Sequence, residues 1–289
     1  MENKALELLR GGAALVVSVS GGKDSDAMLN YLINRRALEG WTGEIILVHA
    51  DLGRAEWHYT PAYVQGLADR YNLELIIVSH RKGDLVDRIW ARHEKDPSRP
   101  AWPSSAARYC TSDLKRAPID VFVRNRFPSG KVVIAMGLRA AESPARAKKV
   151  VFERREACCS KNRDVYNWLP IHSWSDDAVW RQLMPGKNET ILFYRRGWAM
   201  WQTTHQNAHI DDYLAFITHS EGRLPCHPAY ILGNQRLSCA LCVLASKNDL
   251  INGAIHNPAV YAEYIRIEEV TGFTFRQWLA LKTILDPKS

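Results

Sequence analysis

Six consecutive residues, Ser20-Gly21-Gly22-Lys23-Asp24-Ser25, stand between an apolar run and a stretch with helical spacing. Their types suit the grip of an anion. Adjacent glycines let the backbone take positive φ angles and approach a ligand closely. A helix starting at Asp24 or Ser25 turns N–H groups and the positive end of its dipole toward the loop. Lys23 adds a full charge, and the Ser20 and Ser25 hydroxyls add donors. The loop is not a Walker A sequence, because Val17 stands where the first glycine would be and Asp24 follows Lys23. It is not Gly-x-Gly-x-x-Gly either. The residues describe a phosphate cradle on a strand-turn-helix, with a tight ligand-free turn as the plain alternative.

The second chemical group is the cysteines: Cys110, Cys158, Cys159, Cys226, Cys239 and Cys242. In a cytosolic chain of this size structural disulfides are not expected, and ligation of a metal or cluster is the default for closely spaced thiols. Cys239-Ala-Leu-Cys242 can hold one metal or two corners of a cluster. Two more ligands are needed, either Cys110 with Cys226 or Cys158 with Cys159. Ordinary buried thiols are the bland alternative. His205 and His209 share i, i+4 spacing, which more often marks a polar helix face than a metal site.

These groups need a scaffold. The chain has 289 residues, of which 46% are hydrophobic, enough for a large core. "AALVVSVS" (13–20), "EIILVHA" (44–50), "LELIIVSH" (73–80) and "KVVIAMG" (131–137) are short β-branched runs that suit strands buried on both faces. Helical patterns at about 24–36, 59–71, 83–94 and 113–127 alternate with them. The expected fold is α/β, a doubly wound, mainly parallel sheet with ligands at the carboxyl ends of its strands. From about Trp168 the chain becomes rich in Trp, Tyr, Cys and His, with helical stretches near 176–184, 209–219 and 258–283. The expected division is 1–165 for the nucleotide-binding domain and 166–289 for a helical, Cys-containing region packed on the ligand edge. Trp168, Trp174, Trp180, Trp198 and Trp201 are expected to build the helical core; an exposed subset would stack nucleic-acid bases.

No run of about 18 apolar residues predicts a membrane span, and residues 1–10 lack the apolar stretch of a secretory signal. The cytoplasm is the expected compartment. The net charge of +7 fits docking on a polyanion, and also an enzyme that is merely basic. Arg139, Arg146, Lys148, Lys149, Arg154 and Arg155 form the densest basic stretch.

Ser20-Gly21-Gly22-Lys23-Asp24-Ser25 resembles the PP-loop of the ATP pyrophosphatase superfamily. "VHADLGRAEW" around Asp51, "RYCTSDLKRAPI" (108–119), "MGLRAAESPAR" (136–146), "WLPIHSWSDDAVW" (168–180) and "PCHPAYILGNQRLSCALC" (225–242) follow in order. Together they resemble the phosphoadenosine phosphosulfate reductase family in its broad sense, over roughly residues 10–245. The resemblance implies an adenine nucleotide alpha hydrolase-like fold and cleavage of ATP between its α and β phosphates. AMP would pass to an acceptor oxygen, with Mg²⁺ and Lys23 stabilising the departing pyrophosphate.

On this resemblance Lys23, Asp24 and Arg139 carry the catalysis. Ser18, Ser20, Gly21, Gly22, Lys23, Asp24, Ser25, Asp51, Gly137, Arg139, Glu142 and Arg146 bind the nucleotide. Asp24 serves the metal directly or through water. Asp51 faces the ribose or base, or caps the following helix. Arg139 and Arg146 grip phosphate-like oxygens, or pair with Glu142 as structure. Lys115 and Arg116 serve the substrate or cover a helix face.

Sulfonucleotide reductases of the family use a C-terminal catalytic Cys, and this chain's last Cys is Cys242. Their loop is also degenerate, whereas this one is intact. The closest character is that of iron–sulfur DNA phosphorothioation enzymes, with tRNA thiolases using similar logic. A sulfonucleotide reductase or sulfate adenylyltransferase-like enzyme, and a nucleotide-gated binding module, are the alternatives. The Cys158-Cys159 pair precedes Cys239 by an interval like that in the iron–sulfur reductases, but it follows Gly137-Leu138-Arg139 where their pair comes before. The order of motifs therefore favours Cys110, Cys226, Cys239 and Cys242 around a [4Fe–4S] cluster, with Zn²⁺ as alternative. Cys158 and Cys159 remain reserve ligands or sulfur-relay thiols. The implied partners are ATP, a nucleic-acid substrate and a sulfur-donor protein such as a cysteine desulfurase. The oligomeric state is left open.

Overall fold

The computed structural model describes residues 2–184, 190–205 and 207–286. The chain forms two compact units. The first comprises Met1–His49, Pro61–Val78 and Ile119–His227; the second comprises Ala50–Thr60, Ser79–Pro118 and Pro228–Ser289. Both draw on chain from either side of residue 165.

The first unit is built on six strands: β1 (Ala14–Ser18), β2 (Ile45–Ala50), β3 (Glu74–Val78), β4 (Gly130–Met136), β5 (Phe152–Arg154) and β6 (Arg163–Trp168). Their order is β3-β2-β1-β4-β6-β5. β1 lies parallel to both β2 and β4, β4 lies parallel to β6, and only β5 runs antiparallel at the edge. This is the α/β, mainly parallel sheet expected from the alternating runs. β1 sits centrally because "ALVVS" offers apolar side chains to both faces, and Leu15, Val16 and Val17 are all buried. Leu15, Val17, Met28, Leu29, Leu32, Leu47, Val64, Leu67, Val133 and Trp168 share one core. Each such side chain contributes about 1.5–3 kcal/mol on burial.

The chain leaves β1 toward β2 and β3 on one side, and later adds β4 on the other. A crevice outside the carboxyl ends of β1 and β4 follows from that reversal. The helix Lys23–Glu39 starts there and ends at Gly40, whose left-handed φ of 67° lets its N–H donate to the Arg36 carbonyl at 2.9 Å.

β5 and β6 went unpredicted because "FER" and "RDVYNW" mix charges into short strands. The helices Thr190–Thr204 and Lys247–His256 were also missed. Trp168 ends β6 and is buried in the sheet's core rather than in a helical one, while Trp198 and Trp201 lie 5.8 and 5.7 Å from the Tyr213 ring in a helical pair. Among the described residues no helix is long and apolar enough to cross a membrane.

The second unit packs Trp57, Leu85, Val86, Ile89, Trp102, Leu114, Leu250, Tyr264, Ile267, Phe275 and Leu281 into its own core. The helix expected over 258–283 stops at Thr271. Gly272 takes a left-handed φ of 71°, and the chain folds back on the helix it has left. Glu268 explains the stop. Its carboxylate, nearly buried, accepts from the backbone N–H of Phe275 at 2.5 Å and of Leu281 at 2.9 Å.

Replacing Glu268 with Ala leaves those two donors without their acceptor. Denaturant unfolding is expected to show a loss of about 1–3 kcal/mol. An unchanged midpoint would mean that the returning segment is held by its apolar side chains alone.

Candidate functional site

The loop after β1 has the geometry of a cradle. Gly21 takes a φ of 74°, closed to most side chains, and Gly22 is extended at φ −76° and ψ 152°. The helix then begins at Lys23 with no side-chain cap. Ser25 Oγ donates to the Gly22 carbonyl at 2.9 Å and accepts from the Ser20 N–H at 3.2 Å, which closes the loop on itself. Ser18 ends β1 in register with Val48 of β2 and Met136 of β4.

β4 brings the second half of the site. A Cβ on Gly137 would stand 3.0 Å from the Asp24 carbonyl carbon and oxygen and the Ser25 nitrogen. Glycine there lets the segment after β4 touch the first turn of the loop's helix. Two residues on, Arg139 Nε donates to Asp24 Oδ1 at 2.6 Å. Its Nη2 donates to Asp176 Oδ1 at 2.9 Å, and its Nη1 to the Trp174 carbonyl at 3.4 Å. Lys23 Nζ lies 2.8 Å from Asp176 Oδ1 and 3.7 Å from Asp24 Oδ1. Asp176's carboxyl sits below its ordinary range: burial works against the shift, and the Lys23 ammonium and Arg139 guanidinium overcome it. Glu142 accepts from the Arg139 N–H at 3.1 Å and pairs with the Arg146 guanidinium.

The first unit thus assembles Ser18, Ser20–Ser25, Gly137, Arg139, Glu142 and Arg146. Asp176 completes the charge cluster, and sequence reasoning did not select it. The available signal was Ser175 before two aspartates, an N-cap pattern that places a carboxylate in a first helical turn. Asp51 belongs to the second unit, where Oδ1 accepts from the Gly53 N–H at 2.7 Å and caps a short turn.

The cysteines divide. Cys110, Cys239 and Cys242 belong to the second unit. Cys110 stands in a short helical turn that runs into the π-helical segment Ser112–Arg116. Burial pushes its thiol up, and Cys242 adds to the shift. Cys239 is pushed up further by burial, then by Cys242, with Cys110 contributing and the Lys115 ammonium opposing. The loop between Cys239 and Cys242 is clamped: Ala240 N–H donates to the Ala55 carbonyl at 2.9 Å, and Arg276 Nη2 to the Cys242 carbonyl at 2.8 Å. Gly253 lets the helix Lys247–His256 lie against it, since a Cβ there would fall 1.8 Å from the Ala240 oxygen. Neither Arg276 nor Gly253 was read from the sequence; a lone glycine in a helical stretch was the one hint.

Cys226 is in the first unit, fully buried. Burial and the Asp26 carboxylate push its thiol up, and Arg195 opposes them. Asp26 accepts from Tyr63 Oη at 2.7 Å and lies 3.5 Å from Arg70. Cys158 is also in the first unit, with Sγ 3.0 Å from Asp120 Oδ1. Asp120 in turn accepts from Arg155 Nε at 2.6 Å. Cys159 Sγ accepts from the Val165 N–H at 3.4 Å.

The basic stretch is partly spent in ion pairs. Arg139, Arg146 and Arg155 are engaged as above, and Arg154 pairs with Glu156 at 2.7 Å and Asp164 at 2.8 Å. Lys148 and Lys149 are exposed.

The profile of the phosphoadenosine phosphosulfate reductase domain matches residues 14–242. No curated protein matches the chain. Among solved structures, Candida glabrata FMN adenylyltransferase in complex with FAD and inorganic pyrophosphate is 18% identical with a TM-score of 0.40, covering 66% of this chain and 54% of that one. Yeast FAD synthetase in complex with FAD is 16% identical with a TM-score of 0.31, covering 62% and 57%. The U34-tRNA thiolase NcsA from Methanococcus maripaludis, with its [4Fe-4S] cluster, is 14% identical with a TM-score of 0.40, covering 80% and 74%. The chain spans about half the length of the FMN adenylyltransferase chains it matches.

Cys158 gives the first unit a pH signature. Burial, then its bond to Asp120 and that carboxylate's charge, push the thiol from 9.0 to about 11. The unfolded chain loses this proton above about pH 9, so the contribution of Cys158 is complete below that value and fades as the pH rises to about 11. The stability difference between wild type and Cys158→Ala, from urea unfolding, is therefore expected to shrink across that window. A difference that stays flat would mean that Cys158 ionises as easily folded as unfolded, and one that grows would mean that it ionises more easily folded.

Proposed function

The chain belongs to the phosphoadenosine phosphosulfate reductase domain family, and on that premise we propose that it is a PP-loop ATP pyrophosphatase that adenylates a substrate for sulfur incorporation into nucleic acid. The observation that carries this reading is the loop itself. Gly21 and Gly22 open the backbone, an uncapped helix N-terminus follows, and Lys23, 4% exposed, stands inside it. Such a group of donors fits a pyrophosphate, whose charge it neutralises as the bond breaks.

In the proposed reaction an acceptor oxygen attacks the α-phosphorus of ATP. The bond from that phosphorus to the bridging oxygen of the β-phosphate breaks, and pyrophosphate leaves with the electron pair. Lys23, the loop N–H groups and Ser20 stabilise the leaving group. Arg139, held by Asp24, offers its guanidinium to the α-phosphate side. AMP is then the leaving group when a sulfur nucleophile attacks the activated carbon or phosphorus. Asp24 would hold the Mg²⁺ that supplies charge neutralisation to the phosphates.

The proposed ligands of a cluster are Cys110, Cys239 and Cys242. Cys242 raises the cost of ionising Cys110 and Cys239, Cys110 adds to that of Cys239, and a bound cation relieves that repulsion. This fits a [4Fe–4S] cluster, with Zn²⁺ as the alternative occupant. Cys226, which the motif order suggested as the fourth ligand, belongs to the other unit and sits beside Asp26. A cysteine desulfurase-type donor and a cytoplasmic location complete the reading.

Pyrophosphate release from ATP, stimulated by a nucleic-acid acceptor, tests the adenylation half. Lys23→Ala and Asp24→Ala are each expected to lower it about 100-fold or more, with circular dichroism unchanged; turnover at the wild-type rate would sink the loop assignment. ATP binding without pyrophosphate release from any acceptor would favour a nucleotide-gated binding module.

Anaerobic purification with iron, sulfide and zinc analysis tests the thiols. Matched iron and sulfide with a brown absorption near about 400 nm are expected, and are lost in Cys239→Ala/Cys242→Ala. Iron held at the wild-type level in that variant would exclude the ligand set. Zinc in place of iron would select the alternative occupant.

A further inference from the structure

Sequence reasoning passed over one member of the phosphate-loop cluster, and we propose that this residue, Asp176, is the loop's internal competitor. Its carboxylate stands where a phosphate oxygen would, between Lys23 and Arg139, and yields when pyrophosphate binds. The inference rests on the reading of the loop as a pyrophosphate site and adds the residue that sets its affinity.

One carboxylate oxygen bridges both cations. Asp176 Oδ1 lies 2.8 Å from Lys23 Nζ and 2.9 Å from Arg139 Nη2. Such a bridge is what a phosphate oxygen makes in an anion site. Exposure separates the partners. The Lys23 and Arg139 side chains are each 4% exposed, while that of Asp176 is 60% exposed. Two nearly buried cations need an anion in place when no ligand is bound, because an uncompensated buried charge is costly. An anion on the rim can meet that need and still turn into water.

Asp24 cannot do the same. Its side chain is 19% exposed, and it is tied to Arg139 Nε within the first turn of the loop's helix. Asp176 opens the helix Asp176–Leu183, whose start is fixed by the Ser175 hydroxyl accepting from the Ala178 N–H at 3.1 Å. With the backbone held, rotation of one side chain clears the site. The charges point the same way. Lys23 and Arg139 are balanced by Asp24 and Asp176, so a pyrophosphate arriving with both carboxylates in place would meet no net positive charge. Displacing Asp176 restores one. Its ion pairs are lost on binding, so Asp176 weakens affinity, and by the same step it eases product release.

The test is calorimetric titration of inorganic pyrophosphate into wild type, Asp176→Asn, Asp176→Ser, Asp177→Asn and Lys23→Ala, each in EDTA and again with Mg²⁺. Both Asp176 variants are expected to bind about two- to fivefold more tightly than wild type, the worth of a half-exposed ion pair. Asp177, which pairs with Arg181 on the same helix at 2.7 Å, controls for charge in that first turn, and its variant is expected to match wild type. Unchanged or weaker binding in either folded Asp176 variant, judged by thermal unfolding, overturns the proposal. So does weaker binding with Mg²⁺ alone, which would make Asp176 a metal ligand. Pyrophosphate bound equally by wild type and Lys23→Ala would sink the loop reading instead. Binding by neither wild type nor the Asp176 variants would sink both.

Discussion

Two cations buried at the start of one helix set the terms for the first unit. Lys23 cannot leave water without an anion, and the helix dipole behind it adds more positive potential. Arg139 deepens the same problem; Asp24, from the same helix as Lys23, and Asp176, from the segment after β6, answer it. These parts meet because β1, β4 and β6 are parallel neighbours whose carboxyl ends share an edge. The glycine after β4 then carries more than a turn. A side chain at Gly137 would press on the backbone of Asp24 and Ser25, and so part Arg139 from its carboxylate. Sheet order, one glycine and four charges form a single requirement.

Chemistry divides the cysteines along the same lines as the fold. Cys158 and Cys226 are each fully buried with a carboxylate nearby, and both effects favour the protonated thiol. Cys158 Sγ stands within hydrogen-bonding distance of Asp120, whose charge Arg155 already balances. That environment suits a structural donor and opposes a relay thiol, which must ionise to attack. Burial pushes Cys110 and Cys239 up as well, but there the neighbours that add to the shift include other thiols, and the Lys115 ammonium opposes it as Arg155 and Arg195 do for Cys158 and Cys226.

Most of the sheet was legible because β-branched apolar runs mark strands, and β1, β2 and β4 bury their apolar centres as expected; β3 does not, since it lies at the sheet's edge and none of its residues is buried. β5 and β6 were not legible, since an edge strand of three residues and a neighbour with polar positions lack such runs. The turn into the helix was legible from residue types alone, because adjacent glycines after an apolar strand and before a helical pattern mark a turn with positive φ. Asp176 was hidden by distance in sequence from Lys23 and Arg139. The stop at Thr271 was hidden for a related reason. Helical periodicity reports which residues face a core, and it cannot report a side chain such as Glu268 turning to collect backbone donors from residues ahead of it.

Net charge reads differently once pairing is known. The chain carries +7, and its densest basic stretch runs from the segment after β4 to just past the end of β5. Yet Arg139 and Arg146 are bound to Asp24, Asp176 and Glu142, and Arg154 and Arg155 to Glu156, Asp164 and Asp120. An arginine already sharing its fork with a carboxylate reaches a phosphate only where that carboxylate gives way. Lys148 and Lys149 remain as exposed charge in that stretch. Counterion release from two lysines gives a salt dependence of only about the second power, far below that of a protein tracking a long phosphate backbone. The arginines of this stretch are held in ion pairs, Arg139 beside the loop and Arg154 and Arg155 at and just after β5.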